Sequence, residues 1–102
     1  MAMIPDKNAS LSEWQEFIAQ LVAERGFTQD TNQVFVKFAE EVGELAKEVR
    51  RRWRAGAPTN NAAGELADVY FFLLDLANHF EVDLAEAARR KLAVNEKRHW
   101  LN

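Results

Sequence analysis

The 102-residue chain contains no cysteine, only two prolines and only four glycines. Without cysteine it can form no disulfide, no thiolate-bound zinc or iron–sulfur centre and no thiol nucleophile, and a reducing, cytoplasmic location is expected. The few breakers, Pro5, Gly26, Gly43, Gly56, Pro58 and Gly64, favour long helices joined by short loops. The longest uninterrupted apolar run, Val69-Tyr70-Phe71-Phe72-Leu73-Leu74, falls far short of the roughly 20 residues a membrane span needs. Met1 to Asn8 carries no signal-peptide core, so no membrane partner is expected. With 13 Lys+Arg against 16 Asp+Glu the formal charge is −3, which disfavours duplex nucleic acid as a partner. Against these absences, 48% of the residues are hydrophobic, enough for one domain spanning residues 1–102.

Ser10-Leu11-Ser12-Glu13 reads as a capping box and Gly26 as a stop, so the first helix is expected over Leu11 to Arg25. A second box, Asp30-Thr31-Asn32-Gln33, opens a longer helix whose apolar residues Phe35, Phe38, Val42, Leu45, Val49 and Trp53 recur at three- and four-residue steps. Ala55-Gly56-Ala57-Pro58 ends it. A third helix is expected from about Asn61 to Phe80, and Asp83-Leu84-Ala85-Glu86 caps a fourth reaching about His99. No segment alternates with period two, so the fold is all-α, a four-helix bundle. The third helix carries one stripe of Leu66, Val69, Leu73, Leu76 and Phe80, with Tyr70, Phe71, Phe72, Leu74 and Ala77 covering most of the rest. A chain with three other helices has little to cover it, so a homo-oligomer is expected, most simply a two-fold dimer burying Phe71 or Leu74 against the second copy.

The polar positions on that helix are Glu65, Asp68, Asp75 and His79, all within one narrow sector. Glu65 and Asp68 are three residues apart and therefore neighbours on the helix surface. Glu41 and Glu44 repeat that spacing on the second helix, with Glu48 one turn on and Glu40 behind. Carboxylates facing one another across packed helices repel and lose hydration unless a divalent cation lies between them. Oxygen donors without cysteine favour Mg²⁺ or Mn²⁺ over zinc. Surface ion pairs such as Glu44 to Lys47 or Glu48 to Arg52 are the plain structural alternative. A di-iron carboxylate bundle requires two Glu-x-x-His motifs, and only Glu96-Lys97-Arg98-His99 fits.

These residues carry a resemblance. Glu40-Glu41-Val42-Gly43-Glu44, then twenty residues, then Glu65-Leu66-Ala67-Asp68, resembles the EExxE…ExxD signature of the MazG-like, all-α nucleoside triphosphate pyrophosphohydrolases. Phe38 to Ala46, Glu65 to Tyr70 and Lys91 to Arg98 stand in family order, and the likeness covers roughly Leu11 to His99. The resemblance implies Mg²⁺-dependent hydrolysis of (deoxy)nucleoside triphosphates to monophosphate and pyrophosphate, as in clearance of surplus nucleotides, with Glu41, Glu44, Glu65 and Asp68 as metal ligands. Gly64 departs from the pattern, since many members carry a further Glu there. A non-catalytic helical interaction module of the same fold is the alternative.

The chemistry agrees with that implication, because acids alone would repel a triphosphate and a metal must bridge the two. Glu40, Glu41 and Glu44 form the catalytic group. Glu40 and Glu44 are the spare carboxylates nearest the attacking water, and the sequence leaves the choice between them open. On the fourth helix Lys91, Asn95 and Arg98 share one face suited to phosphate oxygens. Trp14 and Trp53 are aromatic candidates for stacking on the base, as are Phe17 and Phe27 more weakly; at helical spacing such residues also serve as core. Arg50-Arg51-Arg52-Trp53-Arg54 is read as a solvated helix end. Asp75 with His79 is read as a hydrogen-bonded pair rather than a second metal site. Asn32 stands where it could reach a nucleotide or help to start the second helix.

Overall fold

The computed structural model of the chain describes residues 2–56 and 61–98. Pro58, His99 and the Arg98 side chain lie outside the described residues. Helix α1 spans Leu11–Arg25. Its capping box closes in both directions: the Ser10 hydroxyl accepts from the Glu13 amide at 3.1 Å, and the Glu13 carboxylate accepts from the Ser10 amide at 2.9 Å. Those bonds hold the Glu13 carboxyl below its usual range. Gly26 ends the helix in the left-handed region at φ 63°, a conformation that Gly adopts without a Cβ penalty.

Helix α2 spans Thr31–Ala55. The Asp30 carboxylate accepts from the Asn32 and Gln33 amides at 2.8 and 3.3 Å, but the second capping box is only half made. Thr28 reaches the Asp30 amide at 3.1 Å and donates its own hydroxyl to Gln33 Oε1 at 2.7 Å. A hydroxyl two residues upstream thus occupies the donor that Gln33 would otherwise have taken.

Helices α3 (Ala62–His79) and α4 (Leu84–Arg98) complete the order, and no strand occurs among the described residues. The turn between them puts Glu81 at φ 55°, where a non-glycine residue is strained. Gln15 of α1 pins that turn. Its amide nitrogen donates to Asn78 Oδ1 at 3.1 Å and to the Val82 carbonyl at 2.9 Å, and its oxygen accepts from the Leu84 amide at 2.9 Å. A buried glutamine with both ends paired fixes geometry without leaving an orphaned polar group.

Thr31 meets His79 while Glu41 meets Asp68 and Glu65, so α2 and α3 run antiparallel as a hairpin. Helix α1 packs on α3, and α4 on α1. The core is Ile18, Val22 and Leu74, surrounded by Leu11, Trp14, Phe17, Tyr70 and Leu84. Trp14 meets Phe17 and Tyr70 edge-on at centroid distances of 5.8 and 6.0 Å and stacks on Phe71 at 6.1 Å.

One expectation about an apolar face is corrected. Leu74 is fully buried in its own subunit, so it cannot serve a second chain. The apolar stripe of α2 is divided: Phe38 and Leu45 are half-buried, while Phe35, Val42, Val49 and Trp53 remain exposed and the fully buried residue of this helix is Val34. At about 100° per residue these exposed positions are turned well to one side of the line through Val34, Glu41 and Glu48. On α3, Leu66, Leu73 and Phe80 are likewise exposed. Because the helices are antiparallel, the two stripes fall on the same side of the hairpin, opposite the acids. The radius of gyration, 16.2 Å, exceeds the roughly 13 Å of a compact domain of this length. No helix is long and apolar enough to cross a membrane, among the residues described.

Candidate metal and nucleotide site

Helical spacing places Glu41 on the α3-facing side of α2, and Glu65 and Asp68 on the α2-facing side of α3. The hairpin brings one carboxylate oxygen of each within 4.8 Å of the other two. Glu41 and Glu65 are half-buried and Asp68 is exposed. Glu65 Oε1 accepts from the Asn61 amide at 3.0 Å, whereas Glu65 Oε2 is buried with no hydrogen-bond partner. Three carboxylates gathered this closely, one of them carrying a buried oxygen without a partner, are a donor set that suits a hard divalent cation. Gly64 makes room for the Asn61 side chain, since a Cβ there would lie 2.5 Å from Asn61 Oδ1. The departure from the family pattern at Gly64 thus has a local reason: Asn61 folds over it to hold Glu65.

The other acids stand apart. Glu44 lies one turn from Glu41, but its carboxylate is turned to Lys47 at 3.3 Å in a largely exposed pair. Glu40 is exposed on the outer side of α2. Glu48 Oε1 lies 3.6 Å from Arg51 rather than against Arg52, and its Oε2 is buried without a partner. Lys91 is exposed and Asn95 half-buried on α4, which packs mainly on α1. Trp14 belongs to the α1–α3 interface, and Trp53 is exposed near the end of α2.

A cavity of about 360 Å³ adjoins the acids, lined by Phe27, Thr28, Val34, Lys37, Glu41, Phe72 and Asp75. The sequence reading did not single out Lys37, Phe72 or Asn61. Lys37 precedes Glu41 by four residues, a spacing that puts both on one face of α2. Phe72 follows Asp68 at the same interval on α3. Asn61 gave no signal beyond its place at the helix start. Asn32 borders a neighbouring hollow with Thr28, Gln33, Val36 and Lys37.

Burial first, and then the charges of Asp68, Glu65, Glu44 and Glu40, push the Glu41 carboxyl above its ordinary value of 4.5. A folded-state pKa above the unfolded one disfavours the ionised fold. The penalty is absent well below 4.5 and complete once the pH exceeds the raised value. Glu41→Gln is therefore expected to raise the melting temperature of the metal-free protein by a few degrees at neutral pH. The gain should shrink as the pH falls towards 4.5. Scanning calorimetry with and without Mg²⁺ checks this, because the cation should stabilise the parent chain and not the variant. Identical melting of the two metal-free proteins at neutral pH would show that these carboxylates are not crowded.

The helical hairpin and its carboxylate cluster define an all-α protein with a group of acids that could hold a metal ion. Comparison with known proteins narrows this. The chain is 36% identical over 92 residues to the dATP/dGTP diphosphohydrolase of Cyanophage S-2L, covering 90% of this chain and 79% of that protein. It is 50% identical over 38 residues to the dATP/dGTP diphosphohydrolase of Salmonella phage PMBT28, 37% of this chain and 13% of that protein. The uncharacterised protein YpjD of Bacillus subtilis (strain 168) is 33% identical over 75 residues, 66% of this chain and 68% of its own length. No family model matches the chain. On the cyanophage relative, the chain belongs to the MazG-like nucleotide pyrophosphohydrolase family.

Proposed function

We propose that the protein hydrolyses purine deoxynucleoside triphosphates, dATP and dGTP, to the monophosphate and pyrophosphate with Mg²⁺ or Mn²⁺ as cofactor, and so clears surplus nucleotides. The observation that carries this reading is the convergence of Glu41, Glu65 and Asp68, with one carboxylate oxygen of each within 4.8 Å of the other two. It is supported by the names of the two phage relatives. Glu41, Glu65 and Asp68 would hold the cation. Glu44 would complete the set by leaving Lys47, since an exposed ion pair costs at most about 1 kcal/mol to break. When bound, the metal would neutralise phosphate charge and lower the pKa of a water molecule.

The chain's own groups supply the rest. Lys37, four residues before Glu41 and on the rim of the cavity, can pair with a phosphate oxygen. Asn61 keeps Glu65 oriented through its 3.0 Å hydrogen bond. Of the two carboxylates that could take a proton from the attacking water, Glu44, one turn from Glu41, is the nearer in direction, since Glu40 is exposed on the outer side of α2. Lys91, Asn95 and Arg98 on α4 enter this reading as phosphate contacts, supplied by the same chain or by another copy. Self-association through the exposed stripes of α2 and α3 is part of the same proposal.

The test is cleavage in ¹⁸O-labelled water with a panel of triphosphates. Attack at the α-phosphorus releases unlabelled pyrophosphate and leaves the label in the monophosphate. Label in orthophosphate would mean attack at the γ-phosphorus, and metal-dependent release of neither product would remove the enzymatic reading in favour of an interaction module.

A further inference from the structure

Asp75 is a buried acid that the metal centre does not use. It sits two turns beyond Asp68 on the same helix, a rise of about 10 Å, and lines the same cavity as Glu41. Its side chain is 10% exposed, and its neighbour one turn on is His79, whose Nε2 lies 3.4 Å from Asp75 Oδ1. The other ring nitrogen of His79 is 2.9 Å from the Thr31 hydroxyl. This arrangement orients the carboxyl without saturating it, and His79 Nε2 itself has no hydrogen-bond partner. A buried carboxyl held by one long contact burdens a fold. Burial raises the Asp75 pKa, with His79 opposing. Phe27 and Phe72 supply apolar walls between Asp75 and the acids.

We propose that Asp75 reads the Watson–Crick edge of the purine, a specificity-determining role that rests on the pyrophosphohydrolase reading above. With the phosphates at Glu41, Glu65 and Asp68, the span from the α-phosphorus to the outer edge of a base matches the two-turn separation. A pyrimidine, one ring shorter, stops before Asp75. Guanine presents two adjacent donors, N1–H and N2–H₂, to the two carboxylate oxygens, a bidentate arrangement. Adenine presents one donor, N6–H₂, beside the acceptor N1.

Asp75→Asn decides the matter because the amide has one donor and one acceptor. It matches adenine and leaves one guanine donor opposed by an N–H. The ratio of kcat/KM for dGTP to that for dATP is expected to fall at least about five-fold, the low end of discrimination by a bidentate contact. Calorimetric titration with dGMP and dAMP provides a readout without turnover, and the affinity for dGMP should fall by a similar factor while that for dAMP is kept. A purely structural role would instead lower all nucleotides together, with a lower melting temperature. That result, or an unchanged dGTP to dATP ratio, overturns the proposal. If the parent chain binds the monophosphates and the variant shows this shift while no triphosphate is cleaved, the base-reading role stands and the hydrolase reading fails.

Discussion

Asp68→Asn is expected to reduce kcat/KM for dATP and dGTP by about a thousand-fold or more, some 4 kcal/mol of transition-state stabilisation, while far-UV circular dichroism stays unchanged. Asp68 is the exposed member of the triad and Asn preserves its volume, so neither packing nor helix propensity changes appreciably. What is lost is one of the three negative charges that the hairpin gathers. Glu44→Gln is the informative companion. Its carboxylate rests on Lys47, and an equal loss of activity would show that it abandons that partner to join the site. An Asp68→Asn protein that keeps more than about a tenth of the parent activity at saturating Mg²⁺ would take Asp68 out of the metal site.

The second large effect concerns the uncovered side of the hairpin. Leu73→Glu is expected to convert an oligomer into monomer in sedimentation experiments at micromolar concentration, with helical content kept. Leu73 is 38% exposed in one subunit and lies in line with Leu66 and Phe80, so in an isolated chain a glutamate there meets water. Across a two-fold interface the same charge would be desolvated without a partner, a change that costs several kcal/mol. Leu74→Glu, one position on, should instead unfold the subunit, because Leu74 is wholly enclosed by its own core. Parent protein that sediments as a monomer at these concentrations would remove the oligomer from the account.

The one-residue step from Leu73 to Leu74 marks where sequence reasoning ended. Features that depend on neighbours a few residues away were legible: the Ser10–Glu13 box, the stop at Gly26, the four helices and the paired spacing of Glu41 with Glu44 and Glu65 with Asp68. Local hydrogen bonding and the 3.6-residue repeat set them, and both are written in consecutive residues. Even so, Thr28 displaced Gln33 from the second box, since two side chains competed for one amide.

Helical periodicity states which residues share a face but not towards which partner that face is turned. Only the packing of α2 on α3 selected Glu41, Glu65 and Asp68 and left Glu44 on Lys47. Only the same packing left Phe35, Val42 and Val49 exposed and joined Asp75 of α3 to Phe27 of the α1–α2 loop in one cavity. Gln15 had no local signal because its partners, Asn78, Val82 and Leu84, are more than sixty residues away. The sequence by itself determined the helices, their ends and the supply of carboxylates. Tertiary structure decided which carboxylates meet and which apolar face stays uncovered, because the rotation of one helix against another is set by side-chain interdigitation between residues distant in the chain.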